Sequence, residues 1–369
     1  MTRRSLVGAS LVAASAVRGT AQNSAIAVGV LGTGSRGTYV STLMAKNTPA
    51  RVVALCDVFP EKMEHAKSRI GVENPRLYQD FRKMLASDID AVIIATPVFL
   101  HADHFEAALK AGKHIYIEKP ASVDVDGCKR IMRASDAADR KLNISFGFQR
   151  RYGQLYLKAK ALADSGGIGP IHMGFARFIK SGGAQTPAKL PPPQTEMEKI
   201  ATWGSWKNLS GDLIVENNVH SIDVLNWFLG GRPLRAIGSG GATTPQKGDS
   251  RDHNFVAFEY KNGVQGQLSG ATLAAPGYRD VVEQFFGQSG VIETSENHWR
   301  HFRGPGQETI EKSPRNIVID SVAAFVQRIQ DGKPENTGVR GAESTLTAIL
   351  GRMAMDLRRE VTWEEMMKG

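Results

Sequence analysis

The stretch VGVLGTGSRG, residues 28–37, decides the fold that this sequence predicts. It carries three glycines in the spacing G-x-G-x-x-G, directly after an apolar run typical of a buried strand. A helix can continue from residue 35, and a second apolar run, RVVALCD at 51–57, ends in a carboxylate twenty residues after the last glycine. Such a strand–turn–helix–strand unit presents a helix N-terminus to a pyrophosphate. It predicts a dinucleotide-binding Rossmann domain.

The residues of this turn and the following carboxylate indicate which dinucleotide binds. Asp57 can accept hydrogen bonds from both adenosine ribose hydroxyls of NAD, whereas it repels the 2'-phosphate of NADP. Arg36 is the one nearby cation that could still admit that phosphate, so NADP stays open as the less favoured cofactor. The residues assigned to the cofactor here are Gly32, Gly34, Ser35, Arg36, Gly37 and Asp57.

The order of strand and helix signals predicts an α/β protein of two domains. Signals alternate through residues 25–149, which is typical of a doubly wound parallel sheet. From residue 150 to residue 369 the pattern predicts an α+β domain with a mostly antiparallel open sheet, suited to substrate binding and oligomer contacts. Two closing helices, near 317–330 and 342–360, are expected to pack back across both domains.

Composition excludes several other classes of protein. The chain has 369 residues, of which 41% are hydrophobic and 22% charged, as in a soluble globular protein with two cores. The formal net charge of +9 comes from scattered residues without a basic run, so no nucleic-acid partner is expected. No later run reaches the roughly 18 apolar residues of a membrane span.

The cysteines and histidines do not predict a metal site or a disulfide. Cys56 and Cys128 are expected to be two buried thiols. The nine histidines contain no His-Glu-x-x-His pattern. His298 and His301 have the spacing of ligands on a helix, but the flanking Trp299 and Arg300 favour a surface segment.

Residues 1–21 have the features of an export signal. Arg3 and Arg4 precede a run of apolar and small residues at 8–17, and Gly-Thr-Ala follows at 19–21. This segment resembles a twin-arginine signal with Leu in place of the usual Phe, which implies a periplasmic or otherwise exported protein. The alternative is a disordered tail or a misassigned start, and the protein is then cytoplasmic.

A second motif lies at His114 to Pro120, HIYIEKP. A strand that ends in Glu-Lys-Pro places Lys119 at the carboxyl edge of the parallel sheet, where ligands bind in this fold. A partly desolvated lysine next to a cationic nicotinamide could hydrogen-bond to a substrate hydroxyl or relay its proton. The alternative is that Lys119 is a solvated lysine in a loop. The glycine turn favours the functional role, because it predicts a dinucleotide in the same fold.

These motifs together resemble the glucose–fructose oxidoreductase, inositol dehydrogenase and rhizopine-catabolism (Gfo/Idh/MocA) family, over residues 25–365. The resemblance implies that Lys119 is the catalytic lysine and that Glu216 and His220 take the places of a family Asp-x-x-x-His pair. Glutamate for aspartate leaves the contact of Glu216 to a sugar hydroxyl open. The further matching positions, which imply cofactor contacts, are Thr96, Pro97, His101 and Glu118.

The residues themselves are consistent with this chemistry. Glu216 and His220 are four apart and would share one face of a helical turn, where a neutral imidazole can take a hydroxyl proton and a carboxylate can hold a neighbouring hydroxyl. A surface salt bridge with a structural histidine is the alternative. Three further substrate contacts are considered: Trp203 as a stacking wall, unless it is a core residue, and Arg150 or Tyr152 at the domain junction.

The leading hypothesis is therefore an NAD-dependent oxidoreductase that acts on a secondary hydroxyl of a carbohydrate, in a homo-oligomer formed through the C-terminal sheet. The first alternative is a redox-neutral NAD-dependent glycosidase or epimerase of the same fold. The Thr-His-Gly signature of those glycosidases is absent, since His220 lies in Asn-Val-His-Ser. The second alternative is a non-catalytic sugar-binding or scaffold protein that has kept the fold.

Overall fold

The computed structural model describes residues 25–181 and 188–368. The predicted export signal at 1–21 lies outside the described residues. The first half of the described chain alternates strands and helices. Its elements are β1 (Ala27–Leu31), α1 (Ser35–Asn47), β2 (Arg51–Cys56), α2 (Pro60–Ile70), β3 (Arg76–Tyr78), α3 (Phe81–Leu85), β4 (Ala91–Ile94), α4 (His101–Lys110), β5 (His114–Ile117), α5 (Val125–Asp136) and β6 (Ile144–Phe146).

The six strands form one parallel sheet in the order β3-β2-β1-β4-β5-β6. This is the strand order of a Rossmann fold, in which ligands bind where the order reverses, between β1 and β4. Strand β4, with the sequence AVII, is buried along its whole length because helices cover both faces of the sheet. The predicted doubly wound parallel sheet is confirmed.

The second half is built on a larger sheet. Its elements are α6 (Gln154–Asp164), β7 (Ile171–Ser181), α7 (Glu196–Thr202), α8 (Lys207–Ser210), α9 (Val219–Phe228), β8 (Arg235–Gly241), β9 (His253–Glu259), β10 (Gln265–Ala274), β11 (Arg279–Gly287), β12 (Gly290–Ser295), β13 (His298–Phe302), β14 (Glu308–Lys312), α10 (Ile317–Gln330), α11 (Gly338–Leu357), β15 (Val361–Thr362) and α12 (Trp363–Lys368).

Nine strands pair in the order β14-β13-β12-β11-β7-β10-β9-β8-β15. All these pairs are antiparallel except β7 with β10, so the predicted mostly antiparallel sheet is confirmed. Helices α6, α9 and α11 pack on one face of this sheet. That face forms the core of the second domain.

The two closing helices join the domains. Helix α10 packs its apolar face on α1, and Phe325 belongs to the same buried cluster as Val28 of β1. Helix α11 contacts both α5 and β8, and Leu346 shares one buried cluster with Phe146 and Phe258. The hydrophobic core is therefore continuous between the two domains, whereas the sequence suggested two separate cores; the closing helices pack across both domains as expected.

One local prediction is wrong for His301. His298 and His301 were expected in a surface segment; both belong to β13, in which His298 is half-buried while Trp299 and His301 are only 4% and 5% exposed. Alternate residues of a strand point to the same face, and this pair faces inward to stack ring on ring. A spacing of three residues therefore does not bring His298 and His301 to one face.

Candidate active site

The glycine turn between β1 and α1 has the geometry that a bound dinucleotide requires. Gly32 has a φ of +88°, and a Cβ there would lie 2.6 Å from the carbonyl oxygen of Ala95. A Cβ on Gly37 would lie 1.9 Å from the carbonyl oxygen of Gly32, so only glycine lets the helix pack this closely on the strand. Gly34 precedes the first residue of α1, makes no side-chain cap and borders open space. The N-terminal amides of α1 are therefore left for a ligand.

A cavity of about 690 Å³ extends from this turn. Asp57 lies in the wall of this cavity. Oδ2 of Asp57 accepts two hydrogen bonds from Thr33, one from the backbone nitrogen at 2.8 Å and one from the side-chain hydroxyl at 3.1 Å. These bonds hold the carboxylate at the end of β2, in the position of the ribose-binding acid of a Rossmann fold. The predicted cofactor residues that line this cavity are Gly32, Gly34, Ser35, Arg36, Asp57, Thr96 and Pro97.

A second cavity of about 800 Å³ adjoins the first, and we call it the substrate cavity. Arg36, Thr96 and Trp203 line both cavities, so half-buried Trp203 stands at the boundary between them. Trp206, in contrast, is buried in the core. The other predicted residues in this wall are His101, Glu118, Lys119, Glu216 and His220.

Arg36 points toward the substrate cavity rather than toward Asp57. Its guanidinium forms an ion pair of 2.9 Å with Glu118, whose side chain is 4% exposed. Glu118 lines only the substrate cavity. Arg36 is thus engaged away from the site where a 2'-phosphate would bind, which agrees with the preference for NAD.

His101 connects the two loops that follow β4 and β5. Its Nδ1 lies 2.7 Å from the carbonyl oxygen of Pro120, and its Nε2 lies 2.9 Å from that of Thr96. In the loop after β5, the peptide bond between Lys119 and Pro120 is cis. Buried His101 therefore orients the loop that carries Lys119, although it was predicted as a cofactor contact.

Lys119 and Glu216 form the centre of the substrate cavity. The ammonium of Lys119 lies 3.2 Å from Oε1 of Glu216 and also donates to the backbone carbonyl of Glu216. Glu216 lies in a π-helical turn, Ile214–Asn218, which leads directly into α9. This turn replaces the regular helix that the spacing suggested, yet Glu216 and His220 both face the cavity.

The electrostatics of the cavity set the charge of both groups. Burial alone would raise the pKa of Glu216, but Lys119 and Lys180 outweigh burial and hold this pKa below its usual value. Burial lowers the pKa of His220 well below 6.5, and Lys119 and Arg150 lower it further. Near neutral pH the cavity therefore combines a carboxylate with an uncharged imidazole.

His220 lies in the wall of the substrate cavity. Its Nδ1 is buried and has no hydrogen-bond partner among the described residues. Phe148 packs edge-on against the ring, with 6.2 Å between the ring centroids.

Two predicted substrate contacts lie elsewhere. Arg150 is 1% exposed, pairs with Glu283 at 3.1 Å and donates to Ser221 at 2.9 Å beneath the cavity. Tyr152 borders a separate surface hollow together with Arg328. Neither residue is in the wall of the substrate cavity. Both lie in a 3-10 turn, Gln149–Tyr152, at the domain junction, and the direction of each side chain in this turn could not be read from the sequence.

Sequence reasoning also missed a set of polar residues that the second domain contributes. They lie at or next to the ends of strands, in the π-helical turn before α9 and in the segment before α10, where no local motif marks them. These wall residues are Lys180, Asn217, Arg279, Glu296, Asn297, Lys312 and Arg315.

Among the described residues, no group of three or more His, Cys, Asp or Glu side chains could hold a metal ion. Within 25–181 and 188–368, no helix is both long and apolar enough to cross a membrane.

Comparison with known proteins identifies the class. The family model "Oxidoreductase family, NAD-binding Rossmann fold" matches residues 26–146, and the "GFO/IDH/MocA C-terminal domain" model matches residues 156–293. Together they match more than half of the chain. This protein belongs to the Gfo/Idh/MocA family of NAD-binding oxidoreductases.

Individual relatives are inositol dehydrogenases. The chain is 24% identical over 358 residues to myo-inositol 2-dehydrogenase of Thermotoga maritima, covering 92% of this chain and 99% of the relative. It is 31% identical over 274 residues to inositol 2-dehydrogenase of Burkholderia ambifaria, covering 72% and 73% of the two chains.

Solved structures share the whole fold. Levoglucosan dehydrogenase in complex with NADH and levoglucosan gives a TM-score of 0.78 at 20% identity, over 91% of this chain and 99% of that one. Scyllo-inositol dehydrogenase from Lactobacillus casei with NAD(H) and scyllo-inositol gives 0.73 at 23% identity, over 92% and 99%.

Proposed function

We propose that this protein is an NAD-dependent oxidoreductase that transfers hydride between a secondary hydroxyl of a sugar, glycoside or polyol and a tightly bound nicotinamide cofactor. One observation carries the proposal: Lys119, Glu216 and His220 meet in one cavity, which adjoins the cavity of the glycine turn. The relatives support it, because they are dehydrogenases of inositols and of levoglucosan.

The open amides of α1 and the carboxylate of Asp57 fit the pyrophosphate and ribose of NAD. Bound there, NAD supplies a hydride acceptor at C4 of its nicotinamide. Lys119 donates a hydrogen bond to the reacting hydroxyl oxygen, and Glu216 accepts one from a neighbouring hydroxyl. Neutral His220 takes the hydroxyl proton as the carbon loses its hydride.

The test is a panel of neutral polyols and sugars, including myo-inositol, scyllo-inositol and levoglucosan, incubated with the purified protein and NAD. The absorbance of NADH should rise with at least one of them, and Lys119→Met should abolish the rise. Lys333→Met, at an exposed position after α10, is the matched control and should retain full activity. No NADH from any sugar, together with no bound nucleotide, would refute the proposal. Release of free sugar from a nitrophenyl glycoside without net NADH would indicate the redox-neutral cycle instead.

We also propose that Arg3 and Arg4 direct export through the twin-arginine route, to the periplasm. That route carries folded proteins, so the cofactor would be loaded before export and held tightly where little free NAD replaces losses. Fusion of residues 1–24 to a reporter tests this idea. Export should be lost when both arginines are changed to lysine, and a reporter that stays in the cytoplasm with the native pair would contradict it.

The outer face of the large sheet supports a homo-oligomer. Ile237 on β8 and Phe255 on β9 are 54% and 55% exposed there, as diagonal neighbours on adjacent strands. Apolar side chains exposed together indicate a protein interface, and we propose that a second copy covers this face. Sedimentation should give a dimer or tetramer that Phe255→Lys dissociates, and a monomer at all concentrations would exclude this arrangement.

A further inference from the structure

Lys180 occupies a position in β7 where an apolar residue is expected. The preceding residues on the same face of the strand, Gly174, Ala176 and Phe178, are all buried. Lys180 continues this inward row and ends in the wall of the substrate cavity. Its partner in the sheet is Arg279 of β11, whose side chain lines the same cavity. The second domain therefore places two cations side by side where its sheet borders the substrate cavity.

Most cations of the cavity are paired with a carboxylate. Arg279 lies 3.1 Å from Glu296. Other pairs join strand ends and loops around the cavity. They are Arg36 with Glu118, Lys119 with Glu216, and Arg315 with Asp320.

Among the described residues, two cations of the cavity wall form no salt bridge: Lys312, which is exposed, and Lys180, which is half-buried. The ammonium of Lys180 donates to the neutral amide oxygen of Asn217. The nearby carboxylate of Glu216 is already bonded to Lys119 and to Asn217. Burial lowers the pKa of Lys180, although Glu216 opposes the shift. A partly buried charge without its own counter-charge is costly, so a ligand that brings a negative charge is favoured here.

We propose that the substrate carries an oxyanion, which Lys180 binds while Lys119 and His220 act on a hydroxyl. This inference rests on the proposed dehydrogenase function and narrows its substrate to an anionic sugar. The same ammonium could bind the carboxylate of a sugar acid or the phosphate of a sugar ester, since lysine acts as a point charge toward either. Arg279, across the strand pair, adds a second donor on the same side.

The experiment compares matched neutral and anionic ligands on the NAD-loaded protein. Glucuronate is paired with glucuronamide, in which a neutral amide of similar shape replaces the carboxylate, and glucose 6-phosphate is paired with glucose. Binding by calorimetry and turnover by NADH absorbance are both measured. A hydrogen bond to a charged group predicts about 10- to 100-fold tighter binding of one anionic member over its neutral partner. The pair that shows the preference identifies carboxylate or phosphate.

Lys180→Met then assigns the preference to this residue. The variant should lose most of the anionic preference, so that its affinity falls far more for the anionic member than for the neutral one, and the Lys333→Met control should keep the preference. The inference is overturned if the wild type binds both members of each pair equally, or if Lys180→Met weakens them to the same extent. Those results differ from failure of the proposed function, which would abolish NADH formation with every sugar.

Discussion

Arg150→Met should destabilise the protein without changing how it recognises substrate. The guanidinium is 1% exposed and lies 3.1 Å from the carboxylate of Glu283, which is fully buried. Removing it leaves that carboxylate with hydrogen bonds only from Ser221, Tyr156 and Thr294. Breaking a buried ion pair on one side costs about 3–5 kcal/mol in the free energy of unfolding, because the remaining charge is uncompensated.

This cost can be converted to a melting temperature. The cores of the two domains are continuous, so we expect one cooperative transition. At roughly 2.1 cal/mol/K of unfolding entropy per residue, the loss corresponds to a fall in Tm of about 4–7 °C. Scanning calorimetry measures it. Replacing both partners, Arg150→Met with Glu283→Gln, should recover part of the loss because no buried charge then remains.

The pH dependence gives a second check. Burial raises the pKa of Glu283 and Arg150 opposes this, so without Arg150 the pKa rises further. A protonated Glu283 is tolerated in the folded state. The loss of stability in Arg150→Met is therefore largest above the pKa that Glu283 has in the folded variant. The loss becomes smaller as the pH falls below that pKa. Arg235→Met, which removes an exposed ion pair with Glu259, is the control and should leave Tm nearly unchanged at every pH.

The KM for substrate decides whether the role of Arg150 is structural. If Arg150 contacts substrate directly, Arg150→Met will raise KM strongly while Tm stays at the wild-type value. An unchanged KM with a lower Tm supports the structural role.

Three further outcomes are expected. Lys119→Met should lower kcat by about 10²- to 10⁴-fold while NAD still binds, as measured by quenching of protein fluorescence, because only the group on the reacting hydroxyl is lost. The kcat/KM of the wild type should fall on the acid side with a pKa below 6.5, since the pKa of His220 is lowered and only its neutral form accepts a proton; a limb above 6.5 would contradict the assignment. Asp57→Ala should weaken NAD binding and narrow the preference over NADP, as titration with each cofactor would reveal, and unchanged affinities would show that the carboxylate does not hold the ribose.

Much of the cofactor half was predictable because its determinants are local. A glycine with positive φ, a close helix–strand contact and a carboxylate at a strand end all lie within thirty residues, so the spacing of Gly32, Gly37 and Asp57 specifies them. The same holds for Lys119, since a residue just after a buried parallel strand must emerge at the carboxyl edge of the sheet.

The substrate half was less predictable because strands distant in sequence build it. Lys180 and Arg279 are neighbours only through the pairing of β7 with β11. Arg150 follows β6 at the domain junction, and whether its side chain faces the cavity or the core depends on Glu283, a carboxylate 133 residues away. No local sequence pattern indicates a partner so distant in the chain. The substrate contact of Arg150 was therefore suggested only by its charge and its place at the junction.

The cations of the substrate cavity perform two tasks that a neutral wall could not combine. Lys119 and Lys180 keep Glu216 ionised, and with burial they keep His220 uncharged. Without a ligand, the positive charges around His220 favour its neutral imidazole. This form can accept a proton, but because its pKa is lowered it is a weak base. An oxyanion bound at Lys180 would offset part of that field, raise the proton affinity of His220 and make it a stronger base once the anionic sugar is in place. The residue that selects the substrate would in this way also prepare the base that acts on it.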